Sequence, residues 1–175
     1  MMENPRSPDV RRQGIYALVS HDYGRKNPYL PEYRELAKSD EDFTVRAAAI
    51  RASNWARDRQ AVPIFIAALS DANALVRWEA AKALSNIPDA SAVDALRHAL
   101  SDPSESRNVR VAAADALRHY RNLDVAEDLA KTLAGKDFSV AWQARQSLVR
   151  ITGKDLRYDQ NAWLAYLAHP DKPLG

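Results

Sequence analysis

Few side chains in this 175-residue chain have the types and spacing that catalysis requires. There is no cysteine, which excludes a thiol nucleophile, a cysteine-ligated metal and disulfides. Glycine-rich phosphate loops, nucleophile elbows and zinc-protease motifs are missing as well. The histidines stand in different segments without metal-ligand spacing; they are His21, His98, His119 and His169. The sequence therefore predicts a protein that is not an enzyme, and it implies no cofactor and no metal.

A short acidic run, Asp40-Glu41-Asp42, offers carboxylate oxygens that a divalent cation could bind. The run stands directly before a segment with a helical pattern, and acids at a helix start accept hydrogen bonds from free backbone amides and favour the helix dipole. Asp71 takes the corresponding place before a later segment of the same kind. We therefore predict capping or turn-forming acids at these positions rather than a cation site.

Composition narrows the class of protein further. Apolar residues make up 46% of the chain and charged residues 27%, which is typical of a folded globular domain. The formal net charge of +2 is too small to attract a polyanion over a long distance, so charge alone does not imply nucleic acid. No apolar run approaches the roughly 18 residues of a membrane span. The compartment stays open, since cysteine-free proteins occur in oxidising and reducing environments.

One phrase recurs along the chain: a valine, usually followed by arginine, and then small residues at fixed offsets from the valine. The phrases begin at Val10-Arg11, Val45-Arg46, Val76-Arg77, Val109-Arg110 and Val140-Ala141. Offsets zero, four, seven and eight fall on one face of a helix at about 100° per residue. We therefore predict a buried stripe in each phrase, with small residues such as Ala80 and Ala113 where neighbouring helices approach closely.

An amphipathic stretch precedes each phrase after the first, so the repeating unit is a first helix, a turn and a second helix. The segment 71–84, which contains Val76-Arg77 and Ala80, resembles a bacterial HEAT repeat of the lyase-like type. The resemblance covers roughly residues 8–152 and implies an all-α fold, a right-handed α-solenoid of about four to five HEAT-type helix pairs in one domain, 1–175. The second helices are expected near 9–20, 44–55, 75–86, 108–120 and 139–151.

The two ends depart from the repeat. The first phrase looks like a second helix without its first helix. This leaves open a natural short start or a trimmed chain whose parent continues upstream into more helix and an export signal, and we favour the second. Residues 153–167 resemble tails that follow such arrays in some bacterial proteins. We predict a capping helix near 159–168, because the end of a solenoid must cover its stacking face.

The arginines at offset one suggest a nucleic-acid surface, but this offset lies beside the buried stripe. An arginine at such a position can bridge acids of adjacent repeats, and an exposed pair of this kind contributes only modestly to stability. We therefore predict a structural ladder whose role is to fix the register of the repeats. Its members are Arg46, Arg77, Arg110, Asp40 and Asp71.

Offset two points about 200° from the valine and therefore away from the core. Because the resemblance implies that second helices line the concave face, we expect Trp78, Val111 and Trp142 to form an outward ridge there. Exposed tryptophans are favoured anchors at interfaces. The alternative is that they pack against arginine stems or the terminal helix. The predicted basic flank of the ridge consists of Arg51, Lys82, Arg118 and Arg145.

Two functions follow, in order of preference. The first is a non-catalytic interaction scaffold that binds a protein or peptide in its concave groove. The second is a nucleic-acid binder resembling HEAT-like DNA-repair glycosylases, which the small net charge and the lack of a dense basic lining disfavour. A chromophore lyase acting on phycobiliproteins rests on the shared repeat name alone. The identity of the partner and the oligomeric state stay open.

Overall fold

Helices make up the regular structure of the part of the chain that the computed structural model describes, residues 7–169 and 174. Three short 3-10 turns, Asp22–Arg25, Arg59–Ala61 and Ala90–Ala92, connect some of the helices. Within these residues the all-α prediction is confirmed. The α-helices are α1 Pro8–Val19, α2 Tyr29–Ser39, α3 Phe43–Trp55, α4 Val62–Ala68, α5 Ala74–Asn86, α6 Val93–Ser101, α7 Arg107–Leu117, α8 Leu123–Thr132, α9 Phe138–Thr152 and α10 Gln160–Leu167.

Polar side chains set the starts of the second helices α3, α5, α7 and α9. Asp42 accepts hydrogen bonds from the backbone amides of Thr44 and Val45, and the N-caps Asn73, Ser106 and Asp137 bond to amides of the first turn in the same way. Such caps satisfy amides that have no partner within the helix. Asp40 and Asp71 stand two residues further upstream, where each accepts the amide of the N-cap residue. They are therefore turn acids rather than caps.

The chain divides between Ile87 and Pro88 into two compact units. In unit 1, α3 packs against α1, α2 and α5, and α4 packs against α5. Its largest fully buried side chains are Tyr33, Phe65, Ile15, Ile50 and Leu84. The Tyr33 hydroxyl donates to the carbonyl of Gly24 at 2.9 Å, and burial raises the pKa of Tyr33 to about 12.

In unit 2, α7 packs against α6 and α9, and α8 packs against α9 and α10. The terminal helix α10 buries Trp163 completely, and the indole Nε1 donates to the carbonyl of Arg157 at 3.0 Å. Gly153 ends α9 in the left-handed conformation, with φ 72°, which glycine adopts without strain. None of the helices in the described residues has the length and apolar character needed to cross a bilayer.

The stripe predicted from the repeated phrase is buried in four of its five copies. Val45, Val76 and Val109 have no exposed surface and Val140 is 1% exposed. The extension of the stripe to α1 was wrong, because Val10 is 43% exposed and α1 buries Arg11, Ile15 and Val19 instead. The physical reason is that α1 packs against α3 and buries the face that carries Arg11, Ile15 and Val19, which leaves Val10 exposed.

Candidate binding surfaces

Arginines at offset one of unit 1 contact the turn acids Asp40 and Asp71 of the next repeat. Arg11 on α1 donates through Nε and a terminal nitrogen to both oxygens of Asp40, each at 2.8 Å. Arg46 on α3 makes the same bidentate contact with Asp71, at 2.8 and 2.9 Å. Burial alone would raise the pKa of Asp71, but the hydrogen bond from Arg46 and the amide of Asn73 outweigh it, so the pKa lies below its ordinary value. These arginines are committed to structure.

The remaining ladder arginines anchor their own turns. Arg77 donates to the backbone carbonyls of Asp71 and Ala72 at 2.7 and 3.1 Å, as Arg46 does to the turn before α3. In unit 2, Arg110 donates through Nε to the carbonyl of Leu100 at 3.0 Å. This contact of Arg110 closes the longer turn between α6 and α7. It does not join two repeats.

A buried carboxylate, that of Glu79, pairs with two cations on the outward face of unit 1. Glu79 on α5 has no exposed surface and pairs with Arg51 of α3 and with Lys82, whose Nζ lies 3.4 Å away. Lys82 also lies 4.2 Å from the centre of the half-buried Trp78 ring. A terminal nitrogen of Arg51 donates to the Tyr16 hydroxyl at 3.3 Å. Two of the predicted flanking cations therefore already serve an acid that the sequence analysis missed.

The corresponding position in unit 2 has a weaker link. Asp115 of α7 accepts the Gln143 side-chain amide of α9 at 2.9 Å and also pairs with Arg118. The register is that of unit 1, since offset six of one second helix contacts offset three of the next in both units. Val111, one turn before Asp115, is half-buried. This contact joins α7 to α9 without a buried charge of opposite sign on α9.

The most exposed apolar surface near the predicted ridge is a cluster on unit 2 that we call the aromatic patch: Phe138, Trp142 and Tyr158. The exposed fractions of these residues are 67%, 47% and 37%. Segment 153–159 runs back along α9, so the Tyr158 ring lies 5.6 Å from that of Phe138. Arg145 lies 5.2 Å from the Tyr158 ring centre and pairs with Asp155.

Sequence reasoning identified Trp142 and missed its two neighbours. Phe138 stands four residues before Trp142 and so shares its helix face, which was a readable signal. Tyr158 reaches the patch through a turn that no helical period predicts. Together the three side chains provide flat apolar rings beside one guanidinium group, an arrangement that suits contact with another protein. The described residues contain no cluster of three or more side chains able to hold a metal ion.

The sequence belongs to the family of HEAT repeats, whose model matches residues 30–107 and 62–149. No curated protein sequence matches the chain significantly. Among solved structures, the chain is similar to one from the complex of CpcE and CpcF of phycocyanin lyase from Nostoc sp. PCC7120, with a TM-score of 0.72 and 20% identity. That alignment covers 87% of this chain and 64% of the other.

An engineered protein is a second structural neighbour, with a TM-score of 0.69 and 20% identity over 85% of this chain and 76% of its own. At this identity the two likenesses establish the fold alone. They agree with the family match and with the helix packing of each unit. The fold class is therefore an all-α solenoid of HEAT repeats, as the repeated phrase predicted.

Proposed function

We propose that this protein is a non-catalytic interaction scaffold that binds a protein or peptide segment on the outward face of its second helices. HEAT-repeat folds present helix faces on a preformed framework, so a bound segment is ordered with little reorganisation of the framework. The principal contact surface is the aromatic patch with Arg145. Within unit 2, the half-buried Val111 and Arg118 supply further contacts. On unit 1, the half-buried Trp78 with Arg51 and Lys82 is a separate candidate contact surface.

The observation that carries the proposal is the exposure of Phe138 and Tyr158 with their rings 5.6 Å apart, together with exposed Trp142 one helical turn from Phe138 on the same face of α9. Single exposed apolar residues are common, whereas adjacent large rings on a surface are typical of interaction sites. Arg145 adds a charge next to them, and arginine and aromatic residues are enriched at the centres of interfaces. The partner chemistry that fits is a segment with apolar side chains and a nearby acid.

The pairing of the flanking cations argues against nucleic acid as the partner. Each of the four is ion-paired with an acid: Arg51 and Lys82 with Glu79, Arg118 with Asp115, and Arg145 with Asp155. Binding to a phosphate backbone depends on cations that are free to replace counterions. The likeness to a phycocyanin lyase chain adds a chromophore-transfer alternative, but no residue of this chain supports it beyond the fold.

A peptide-library selection tests the proposal. Peptides selected on the wild-type protein should carry an aromatic or aliphatic residue near an acid, and Trp142→Ala should weaken their binding at least about tenfold, as loss of an interface anchor does. Trp55→Ala is the matched control. Trp55 ends α3 in unit 1 and is 51% exposed, close to the 47% of Trp142, yet it lies outside the aromatic patch.

Equal loss of binding in Trp55→Ala and Trp142→Ala would contradict the assignment of the surface. Failure to select any peptide that discriminates wild type from Trp142→Ala would contradict it too. A duplex DNA titration provides the comparison with the second function. Saturable DNA binding that falls steeply with salt and survives Trp142→Ala would favour nucleic acid.

A further inference from the structure

Three arginines and a histidine converge on one recess in unit 2. Arg118 caps the C-terminus of α7, His119 and Arg121 follow it in the turn to α8, and Arg150 stands in the last turn of α9. Their side chains line a recess of about 400 Å³, which we call the arginine recess. Its residues are separate from the aromatic patch.

The charges in the arginine recess are only partly compensated. Arg118 pairs with Asp115, which is shared with Gln143. The side chains of Arg121 and Arg150 form no ion pair or hydrogen bond with any other residue of the described ranges. A position at a helix C-terminus explains one cation, because the helix dipole favours it there. It does not explain why cations from two helices and a turn face one another.

The electrostatics of Arg118 agree with this geometry. Burial, and then the nearby charge of Arg150, hold the pKa of Arg118 below its ordinary value. Acid partners have the opposite effect on the arginines of the structural contacts, where hydrogen bonds to carboxylates raise the pKa, as at Arg11, Arg46 and Arg51. The arginine recess is thus a place where like charges meet without enough acid between them.

We propose that the arginine recess binds a phosphoryl group, with Arg121 and Arg150 as its principal ligands and Arg118 and His119 at its side. A phosphate monoester carries nearly two negative charges at neutral pH and accepts hydrogen bonds from several directions at once, which matches guanidinium groups arriving from different elements. A carboxylate has one charge and its two oxygens lie in one plane, so it would pair with only one guanidinium group. The phosphoryl group has two possible sources, a phosphorylated side chain of another protein or free phosphate.

Isothermal titration with inorganic phosphate tests the site on the full chain. Wild type should bind in a saturable way, and Arg150→Gln should weaken binding about tenfold or more, since it removes a charge-assisted contact. Arg157→Gln is the matched control. It removes the same charge from unit 2 at an exposed position where the backbone of Arg157 hydrogen-bonds to Asp155 and Trp163. Equal weakening of phosphate binding by both variants would mean that the loss of one net positive charge causes the effect. That result would overturn the proposal.

Peptides distinguish the two sources. A phosphoserine peptide that binds more tightly than inorganic phosphate, while its unphosphorylated form does not bind, places the phosphoryl group on a protein partner; equal affinities indicate free phosphate. Absence of saturable binding by either probe overturns the site. So does duplex DNA binding that Arg150→Gln and Arg157→Gln weaken alike, because that describes a diffuse polyanion surface. Trp142→Ala should leave phosphate binding unchanged. The proposal for the arginine recess is therefore tested independently of the one for the aromatic patch.

Discussion

Unit 1 and unit 2 repeat the same helix pair but use the same positions differently. In unit 1, charged side chains between second helices are paired and largely buried, as in Arg11 with Asp40 and Arg51 with Glu79. In unit 2, the corresponding contact between α7 and α9 joins an acid to an amide, and large aromatic rings are exposed nearby. One architecture therefore carries buried ion pairs in unit 1 and exposed aromatic rings in unit 2.

The difference shows how a helical repeat can separate stability from binding. Buried ion pairs are costly to break, because removing one partner leaves the other uncompensated in a poorly solvated place. Exposed rings contribute little to folding, because they keep much of their contact with water. We therefore expect substitutions in unit 1 to act on the free energy of unfolding, and substitutions in the aromatic patch to act on binding.

The largest effect is expected from Arg51→Met. Glu79 has no exposed surface, and loss of Arg51 leaves its carboxylate with Lys82 as its remaining charged partner. We expect a loss of about 3 kcal/mol in the free energy of unfolding, the low end of the range for a broken buried pair because Arg51 itself is 31% exposed. Urea denaturation measures it.

The double variant Arg51→Met with Glu79→Met sharpens this prediction, because it removes both charges together. It should recover part of the lost stability, as replacement of a buried pair by apolar side chains often does. Gln143→Ala is the counterpart in unit 2 and should cost about 1 kcal/mol, the value of an ordinary hydrogen bond. Equal losses for Arg51→Met and Gln143→Ala would remove the distinction between the two units.

The second prediction concerns the small residues of the buried stripe. Ala80 in unit 1 and Ala113 in unit 2 have no exposed surface, so leucine at either position should overpack the helix contact and cost about 1–3 kcal/mol. Ala17→Leu is the control, since Ala17 stands at offset seven, the other small position of the stripe, in α1 but is exposed. Thermal melting should separate the first two variants from the third. Unchanged melting temperatures for Ala80→Leu and Ala113→Leu would mean that the stripe tolerates bulk.

The third prediction is a pH dependence of the Arg46 and Asp71 pair. The pKa of Asp71 is lowered in the folded protein, so its stabilising contribution is complete above the unfolded value of about 3.9 and is lost as the pH falls through the folded value. Asp71→Asn should therefore cost about 1.5 kcal/mol at pH 7, allowing for partial exposure of the pair. The difference from wild type should shrink below about pH 4. A constant difference across that range would show that Asp71 acts through its shape rather than its charge.

The repeat phrase predicted much of the helical core because a period of one helix pair fixes which side chains face inward. Val45, Val76 and Val109 are buried for this reason, and the turn acids stand where the arginines can reach them. The prediction was wrong for α1, where Val10 is exposed. A stripe is buried only when a neighbouring helix covers it, and sequence periodicity does not state which neighbours an end helix has.

The candidate sites were harder to predict because they depend on contacts between elements. Glu79 occupies an offset that the phrase leaves variable, so its burial against Arg51 has no sequence signature. Tyr158 joins the aromatic patch through a turn that folds back on α9. Arg121 and Arg150 are far apart in the chain and meet only in the fold. The roles of Trp78, Val111 and Trp142 in binding stay predictions.

The smallest effect on stability is expected in a comparison of the two tryptophans at offset two. Trp78 is half-buried and its ring is covered by Lys82, so Trp78→Ala should cost about 1–2 kcal/mol through lost apolar contact. Trp142 is 47% exposed, and Trp142→Ala should change the free energy of unfolding by no more than about 0.5 kcal/mol. Urea denaturation of both variants measures the difference. A loss of several kcal/mol in Trp142→Ala would identify a core residue, because truncation of a buried tryptophan has that cost. The patch would then stabilise α9, and the surface proposed for binding would lose its central side chain.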